Sequence, residues 1–266
     1  MNTNPIGVLD SGVGSLSIVR SIIPELSHES IITIADSLHA PYGSKSTEFI
    51  RQRAELMIEY LLAKKAKLIV IACNTITVTC LDYLRDKHPD VSIVGVVPVI
   101  KTAVEKTRNG RIGVLSTTTT AQSRYQKELI KRFASNCTVF NHGTDALVPL
   151  IEAGELDSID LQQAISEALS QFDTESIDTL ALGCTHFPLI REQLMKALGH
   201  SVQLLDSGDA VARQVRRLLS SKNALSSVSP SYQFVTTGDV GIAKKIIHAT
   251  IDKSVLQNLV VQNVEL

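Results

Sequence analysis

The chain repeats part of itself. Ile6-Gly7-Val8-Leu9-Asp10-Ser11 returns as Ile112-Gly113-Val114-Leu115-Ser116-Thr117. Leu68-Ile69-Val70-Ile71-Ala72-Cys73-Asn74-Thr75 returns as Thr179-Leu180-Ala181-Leu182-Gly183-Cys184-Thr185-His186. The offsets are about 106 and 111 residues, so two strand-and-turn units recur in the same order at nearly the same separation. Each unit is a short, continuously apolar run that ends in polar residues, the pattern of a strand covered by helices on both faces. The expected fold is therefore α/β: two related lobes with mostly parallel sheets flanked by helices, related by a pseudo-two-fold. The active site is expected in the cleft between them. Residues 1–97 plus the tail 209–266 are expected to form the first lobe, and 98–208 the second.

Apolar runs at Ile6–Leu9, Ile31–Ala35, Leu68–Ala72, Ser92–Val97, Ile112–Leu115, Thr179–Leu182 and Val202–Leu205 read as strands separated by amphipathic stretches. Ser46 is a plausible N-cap for a helix whose apolar face carries Ile50, Ala54, Ile58, Leu61 and Leu62. Thr119–Ala134 and Leu161–Phe172 read as helices, and a loop over 226–232 leads to a strand at Gln233–Thr236 and a closing helix. With 44% hydrophobic residues the chain can bury a large core. Its 26 basic and 27 acidic residues are dispersed, which argues against a nucleic-acid or membrane-surface partner, since both need a concentrated basic face. No apolar run approaches the ~18 residues of a membrane span. The start, Met1 to Pro5, carries no secretory signal, and four cysteines without repeated short spacing do not form a disulfide framework. A cytoplasmic protein with reduced thiols is expected.

In an open parallel sheet, ligands bind beyond the carboxyl ends of the strands. Four polar clusters lie there: Asp10-Ser11-Gly12, Pro41-Tyr42-Gly43, Cys73-Asn74-Thr75 and Cys184-Thr185-His186. A buried cysteine is more often a small core residue than a nucleophile, and Cys80 and Cys137 fit that description. Cys73 and Cys184 differ because they occupy equivalent repeat positions. Each is expected before a helix N-terminus, which favours a thiolate. Asp10 and His186 are their natural acid/base partners. Asn74, Thr75, Thr185, Ser11 and the backbone after Tyr42 are neutral donors suited to carboxylates. Asp10-Ser-Gly-Val-Gly-Ser15 lacks the Gly-Lys-[Ser/Thr] ending of a phosphate loop. One thiol on each wall suits inversion of a carbon centre, which needs a base on one face and an acid on the other. Electrostatic stabilisation of the carbanion would then suffice without a cofactor. Two readings compete: a metal-dependent hydrolase ligated by Cys73, Cys184, His186 and Asp10, and a non-catalytic pair of binding lobes.

Ile6–Gly14 (IGVLDSGVG), Ala40–Lys45 (APYGSK), Val70–Thr75 (VIACNT), Leu182–Leu189 (LGCTHFPL) and Leu205–Ala212 (LDSGDAVA) together closely resemble the glutamate racemases, within the aspartate/glutamate racemase superfamily, over nearly the whole chain. The resemblance implies cofactor-independent interconversion of L- and D-glutamate, the D form being a building block of peptidoglycan. Aspartate is the nearest alternative substrate. Cys73 and Cys184 match the two catalytic positions, one acting on each enantiomer. Asp10 and Ser11, Tyr42 and Gly43, Asn74 and Thr75, and Thr185 and His186 match the substrate-contacting pairs. Glu152 matches an acidic position that supports the second cysteine through His186, with a solvated helix residue as the alternative. Departures from the family pattern are Ser15, Ala35-Asp36-Ser37 and Ile76, none at a catalytic position. The stretch Val96–Lys101 resembles the variant of a subset activated by UDP-N-acetylmuramoyl-L-alanine, a candidate activator here. A homodimer is consistent with the family, although no interface is legible in the sequence.

Overall fold

A computed structural model describes residues 2–97, 99–172, 176–199 and 201–266. Pro98, within the variant stretch Val96–Lys101, lies outside the described residues. The strands are β1 (Ile6–Asp10), β2 (Ile31–Ala35), β3 (Leu68–Ile71), β4 (Ser92–Gly95), β5 (Arg111–Ser116), β6 (Thr138–Gly143), β7 (Thr179–Gly183), β8 (Gln203–Leu205), β9 (Tyr232–Thr236) and β10 (Leu259–Asn263). They form two wholly parallel sheets, ordered β10-β9-β2-β1-β3-β4 and β6-β5-β7-β8.

The order β2-β1-β3-β4 in the first sheet is matched by β6-β5-β7-β8 in the second. The register is matched as well: Ile6 pairs with Leu68, and their repeat counterparts Ile112 and Thr179 pair with each other. A Cβ on Gly7 would press on Ala66, Ile69 and Leu61, each at 3.0 Å. A Cβ on Gly113 would meet Leu180, Ile177 and Phe172, the residues 111 positions later in each case. Both glycines are needed for the same reason, namely close packing of a central strand against its neighbour and the preceding helix.

Three apolar clusters hold this arrangement. The helices Thr47–Ala63 and Asn74–Lys87 cover one face of the first sheet with Ile50, Ala54, Met57, Ile58, Leu61, Ile76 and Leu84. A smaller cluster of Val99, Ile100, Ala103, Ile112, Val114 and Ala181 covers the outer face of the second. The largest cluster joins the lobes: Val8, Leu68 and Val70 of one sheet and Leu115, Leu180 and Leu182 of the other share a core with helices Ser15–Glu25, Ile159–Leu169 and Gly208–Ser221. That shared core fixes the two sets of strand ends in one orientation.

Ser46 caps its helix as expected, its hydroxyl accepting the Phe49 N–H at 3.2 Å. Other expectations need correction. The stretch Thr119–Ala134 is not one helix: it divides into Thr118–Gln122 and Arg124–Phe133 at Ser123, which is extended and caps the second helix through its hydroxyl. The helix Val240–Thr250 does not close the chain, because β10 follows and extends the first sheet. Strands β6 and β10 are edge strands with half-exposed residues, so neither shows the continuous apolar run that marks a central strand. Among the described residues, no helix is long and apolar enough to cross a membrane.

Candidate active site

Strand ends from both sheets converge on one small cavity. It is lined by Ser11, Pro41, Tyr42, Gly43, Cys73, Asn74, Thr75, Thr117, Val148, Cys184, Thr185 and His186. Ten of the eleven residues singled out in the sequence are thus brought together, either lining the cavity or, for Asp10, directly behind it; Glu152 adjoins them through His186. Cys73 ends β3 as the N-cap of helix Asn74–Lys87. Cys184 ends β7 but precedes only a short 3-10 turn, Phe187–Ile190, before helix Arg191–Leu198. The expected α-helix N-terminus is therefore present at Cys73 alone. All four cysteines are unpaired.

Each thiol is backed by a hydrogen-bonded relay ending in a carboxylate. On one side, the Ser11 hydroxyl lies 3.4 Å from Cys73 Sγ and donates to Asp10 Oδ1 at 3.2 Å. On the other, Cys184 Sγ lies 3.8 Å from His186 Nδ1, and His186 Nε2 lies 2.5 Å from Glu152 Oε1. The relays are tied across the cleft: Thr185 Oγ1 donates to Asp10 Oδ2 at 3.0 Å, and the Thr75 and Thr117 hydroxyls are 3.2 Å apart.

Burial sets the resting protonation. Removal from water pushes the Asp10 carboxyl up to about 7, against the opposing influence of His186 and the Thr185 hydrogen bond. Burial also pushes the Cys73 thiol well above its ordinary value, and the neighbouring Asp10 adds to this. The thiolate expected from the helix N-terminus is thus not favoured at Cys73, because desolvation outweighs the hydrogen bonds from Ser11 and the Ile76 backbone. For His186, burial works to lower the value, but the hydrogen bonds to Cys184 and Glu152 outweigh it and raise the imidazole well above its usual range.

The glycines of Asp10-Ser-Gly-Val-Gly acquire a purpose. Glu152 Oε1 accepts the Val13 N–H at 2.7 Å, and a Cβ on Gly12 would collide with that carboxylate. A Cβ on Gly14 would lie 2.5 Å from His186 Nδ1 and 2.7 Å from Thr185 Oγ1. The turn after β1 is bare so that the second lobe's relay can seat against it. Gly12→Ala should therefore displace Glu152 and cut turnover by roughly a hundredfold, the usual scale for a lost acid/base contribution. Steady-state kinetics check this; an unchanged rate would show that Glu152 is not needed where it sits.

Thr117 and Val148 were missed. Thr117 is the repeat counterpart of Ser11, so the self-comparison already contained it; Val148 reads in the sequence as an ordinary core residue. Among the described residues, no group of three or more His, Cys, Asp or Glu side chains is arranged to hold a metal ion.

Comparison with known proteins agrees with this geometry. Residues 6–215 match the family model for Asp/Glu/Hydantoin racemase. A glutamate racemase of Stutzerimonas stutzeri is 41% identical over 235 residues, 88% of this chain and 89% of that protein. The structure of a glutamate racemase isoform from Bacillus anthracis superposes with a TM-score of 0.87 at 32% identity, covering 100% of this chain and 99% of that one. The Escherichia coli glutamate racemase, solved with L-glutamate and the activator UDP-MurNAc-ala, gives 0.82 at 32% identity, covering 98% of each chain. The chain belongs to the Asp/Glu/hydantoin racemase family, and so to the amino-acid racemases.

Proposed function

We propose that this chain interconverts L- and D-glutamate by proton transfer at Cα between Cys73 and Cys184, with no cofactor. The observation that carries the reading is the pair of thiols from repeat-equivalent strand ends lining one cavity, each with its own relay. One thiol delivers a proton to one face of Cα while the other, ionised, removes a proton from the opposite face, and the roles exchange with direction. Cys73, held as a thiol, is suited to donate first, and Asp10 reloads it through Ser11. A protonated His186 beside Cys184 supplies the counter-charge that a sulfur anion needs, and Glu152 holds that imidazole in place.

Asn74 is buried, and both polar atoms of its amide lack protein partners, as expected for a group that substrate satisfies. With Thr75 it opens helix Asn74–Lys87, whose free N–H groups favour a carboxylate. The cavity encloses about 10 Å3, room for one water molecule at most, so the lobes part to admit an amino acid and close to exclude water. This reading keeps the lobe boundaries at 1–97 plus 209–266 and 98–208. It also places the protein in the cytoplasm, supplying D-glutamate for peptidoglycan.

Activation by UDP-N-acetylmuramoyl-L-alanine belongs to the same proposal. Val97, Val99, Ile100 and Lys101 line a separate, mainly apolar cavity of about 320 Å3 against helix Gly208–Ser221. The test is wash-in of solvent deuterium at Cα in heavy water, with glutamate and aspartate, with and without the precursor. Faster exchange with aspartate would overturn the substrate assignment, and indifference to the precursor would overturn the activation.

A further inference from the structure

Asp36, one residue beyond β2, is fully buried and receives five hydrogen bonds. Arg53 donates through Nε to Oδ2 and through Nη2 to Oδ1, both at 2.8 Å, the two-pronged arrangement that fixes a carboxylate plane. Thr237 Oγ1 donates to Oδ1 at 2.8 Å, and His39 Nδ1 is 2.9 Å from the same oxygen. The Tyr42 hydroxyl donates to Oδ2 at 2.5 Å. Arg53 is held in turn, its Nη1 donating to the Leu266 carbonyl at 3.0 Å. The backbone N–H of Asp36 reaches the Asp10 carbonyl at 3.0 Å, so the cluster abuts the cleft directly.

The shared architecture does not demand this cluster. In the second lobe the position equivalent to Asp36 is Thr144, whose N–H makes the corresponding bond to the Ser116 carbonyl at 2.9 Å. There the following turn is filled by Leu147 and Val148 instead. Burying a charge pair costs desolvation energy that an apolar filling avoids. The first lobe carries that cost just before the turn Tyr42–Ser44, whose Tyr42 and Gly43 line the cavity.

The Tyr42 hydroxyl is committed to Asp36. Burial and the adjacent Asp36 charge push Tyr42 up, so it stays a phenol; the Arg53 and Tyr42 hydrogen bonds overcome burial and hold Asp36 down at about 2, so it stays a carboxylate. Neither group titrates during turnover. What the cluster fixes is the position of the Tyr42–Gly43 backbone, which Thr119 Oγ1 also grips from the second lobe through the Gly43 carbonyl.

We propose that Asp36, oriented by Arg53, is a positioning residue for substrate binding: by clamping the Tyr42 hydroxyl it presents the Tyr42–Gly43 turn to a substrate carboxylate, and so sets affinity rather than proton transfer. This rests on the racemase reading above. The experiment is a double-mutant cycle with Asp36→Asn and Tyr42→Phe, reading KM, kcat and unfolding midpoint. Asp36→Asn is expected to raise KM for glutamate roughly tenfold, the effect of one lost charge-assisted bond, with kcat within about threefold. In the Tyr42→Phe background it should add little more, because the link is already cut. Thr237→Val and Arg53→Lys, which keep the carboxylate, serve if Asp36→Asn fails to fold; each should raise KM by a few-fold and also lose its effect beside Tyr42→Phe. Additive KM changes, or a loss confined to kcat, would overturn the inference. Wild-type protein inactive on glutamate would instead overturn the racemase reading.

Discussion

Cys73→Ala and Cys184→Ala are each expected to lower racemisation by at least about a thousandfold, within the range for removing an acid/base group. The two variants should nevertheless fail differently. Cys73 and Cys184 follow strands of different sheets, and in the proposed mechanism each addresses one face of the substrate. A single surviving thiol can still exchange the Cα proton of the enantiomer facing it, but it cannot deliver to the other face. Deuterium wash-in, followed separately for L- and D-glutamate, should therefore persist with one enantiomer in one variant and with the opposite enantiomer in the other. Full racemisation in either variant, or the same preference in both, would refute a two-thiol mechanism. Cys80→Ala is the internal control, since Cys80 is buried in the core of the first lobe and lines no part of the cavity.

Asp10→Asn should make the protein more stable and less active at once. The carboxyl is fully buried and titrates near 7 in the folded chain, against 3.8 when unfolded. Between those values the unfolded chain is ionised while the folded one is not, so folding takes up a proton and stability falls as pH rises from 3.8 through about 7. At pH 8 the folded protein holds a charge it would be more stable without, a penalty of up to about 4 kcal/mol. The amide has no such charge. Thr185 can turn its hydroxyl to accept from the new N–H, so packing is preserved. Denaturant unfolding should show the two proteins alike near pH 4, with the variant more stable by a few kcal/mol at pH 8. His186 slopes the same way in both proteins, its raised value giving stability that is present below the unfolded value and lost as pH rises through the folded one. Turnover should fall about a hundredfold, because Asn cannot reload Cys73. A variant no more stable than wild type at pH 8 would show that Asp10 is not strained by its burial.

Stability and activity are expected to pull apart at Asp10 because the proposed acid/base groups are kept away from water. The same dryness accounts for the small cavity, the orphaned Asn74 amide and the elevated thiol of Cys73. It also explains the bare turn at Gly12 and Gly14, which lets two lobes meet without trapping solvent between their relays.

The central strands and their polar ends could be read directly from the amino-acid order. A parallel strand covered on both faces must be continuously apolar, and its carboxyl end is where polarity returns. Internal repetition then paired Cys73 with Cys184 without any structure, since equivalent strand ends face one cleft. Edge strands β6 and β10 escaped because a half-exposed strand carries no such run. The supporting contacts escaped for a different reason: they join residues far apart in the chain. Val13 meets Glu152 across 139 positions, Thr185 meets Asp10 across 175, and Thr237 meets Asp36 across 201. No local pattern encodes such pairs. The amino-acid order determined which groups could do chemistry and that they come in twos. The family resemblance had already set Glu152 behind Cys184 through His186. Only the packing of one lobe on the other decided that Ser11 links Asp10 to Cys73 and how these groups hold their protons, because burial and hydrogen bonding do not exist until the cleft is formed.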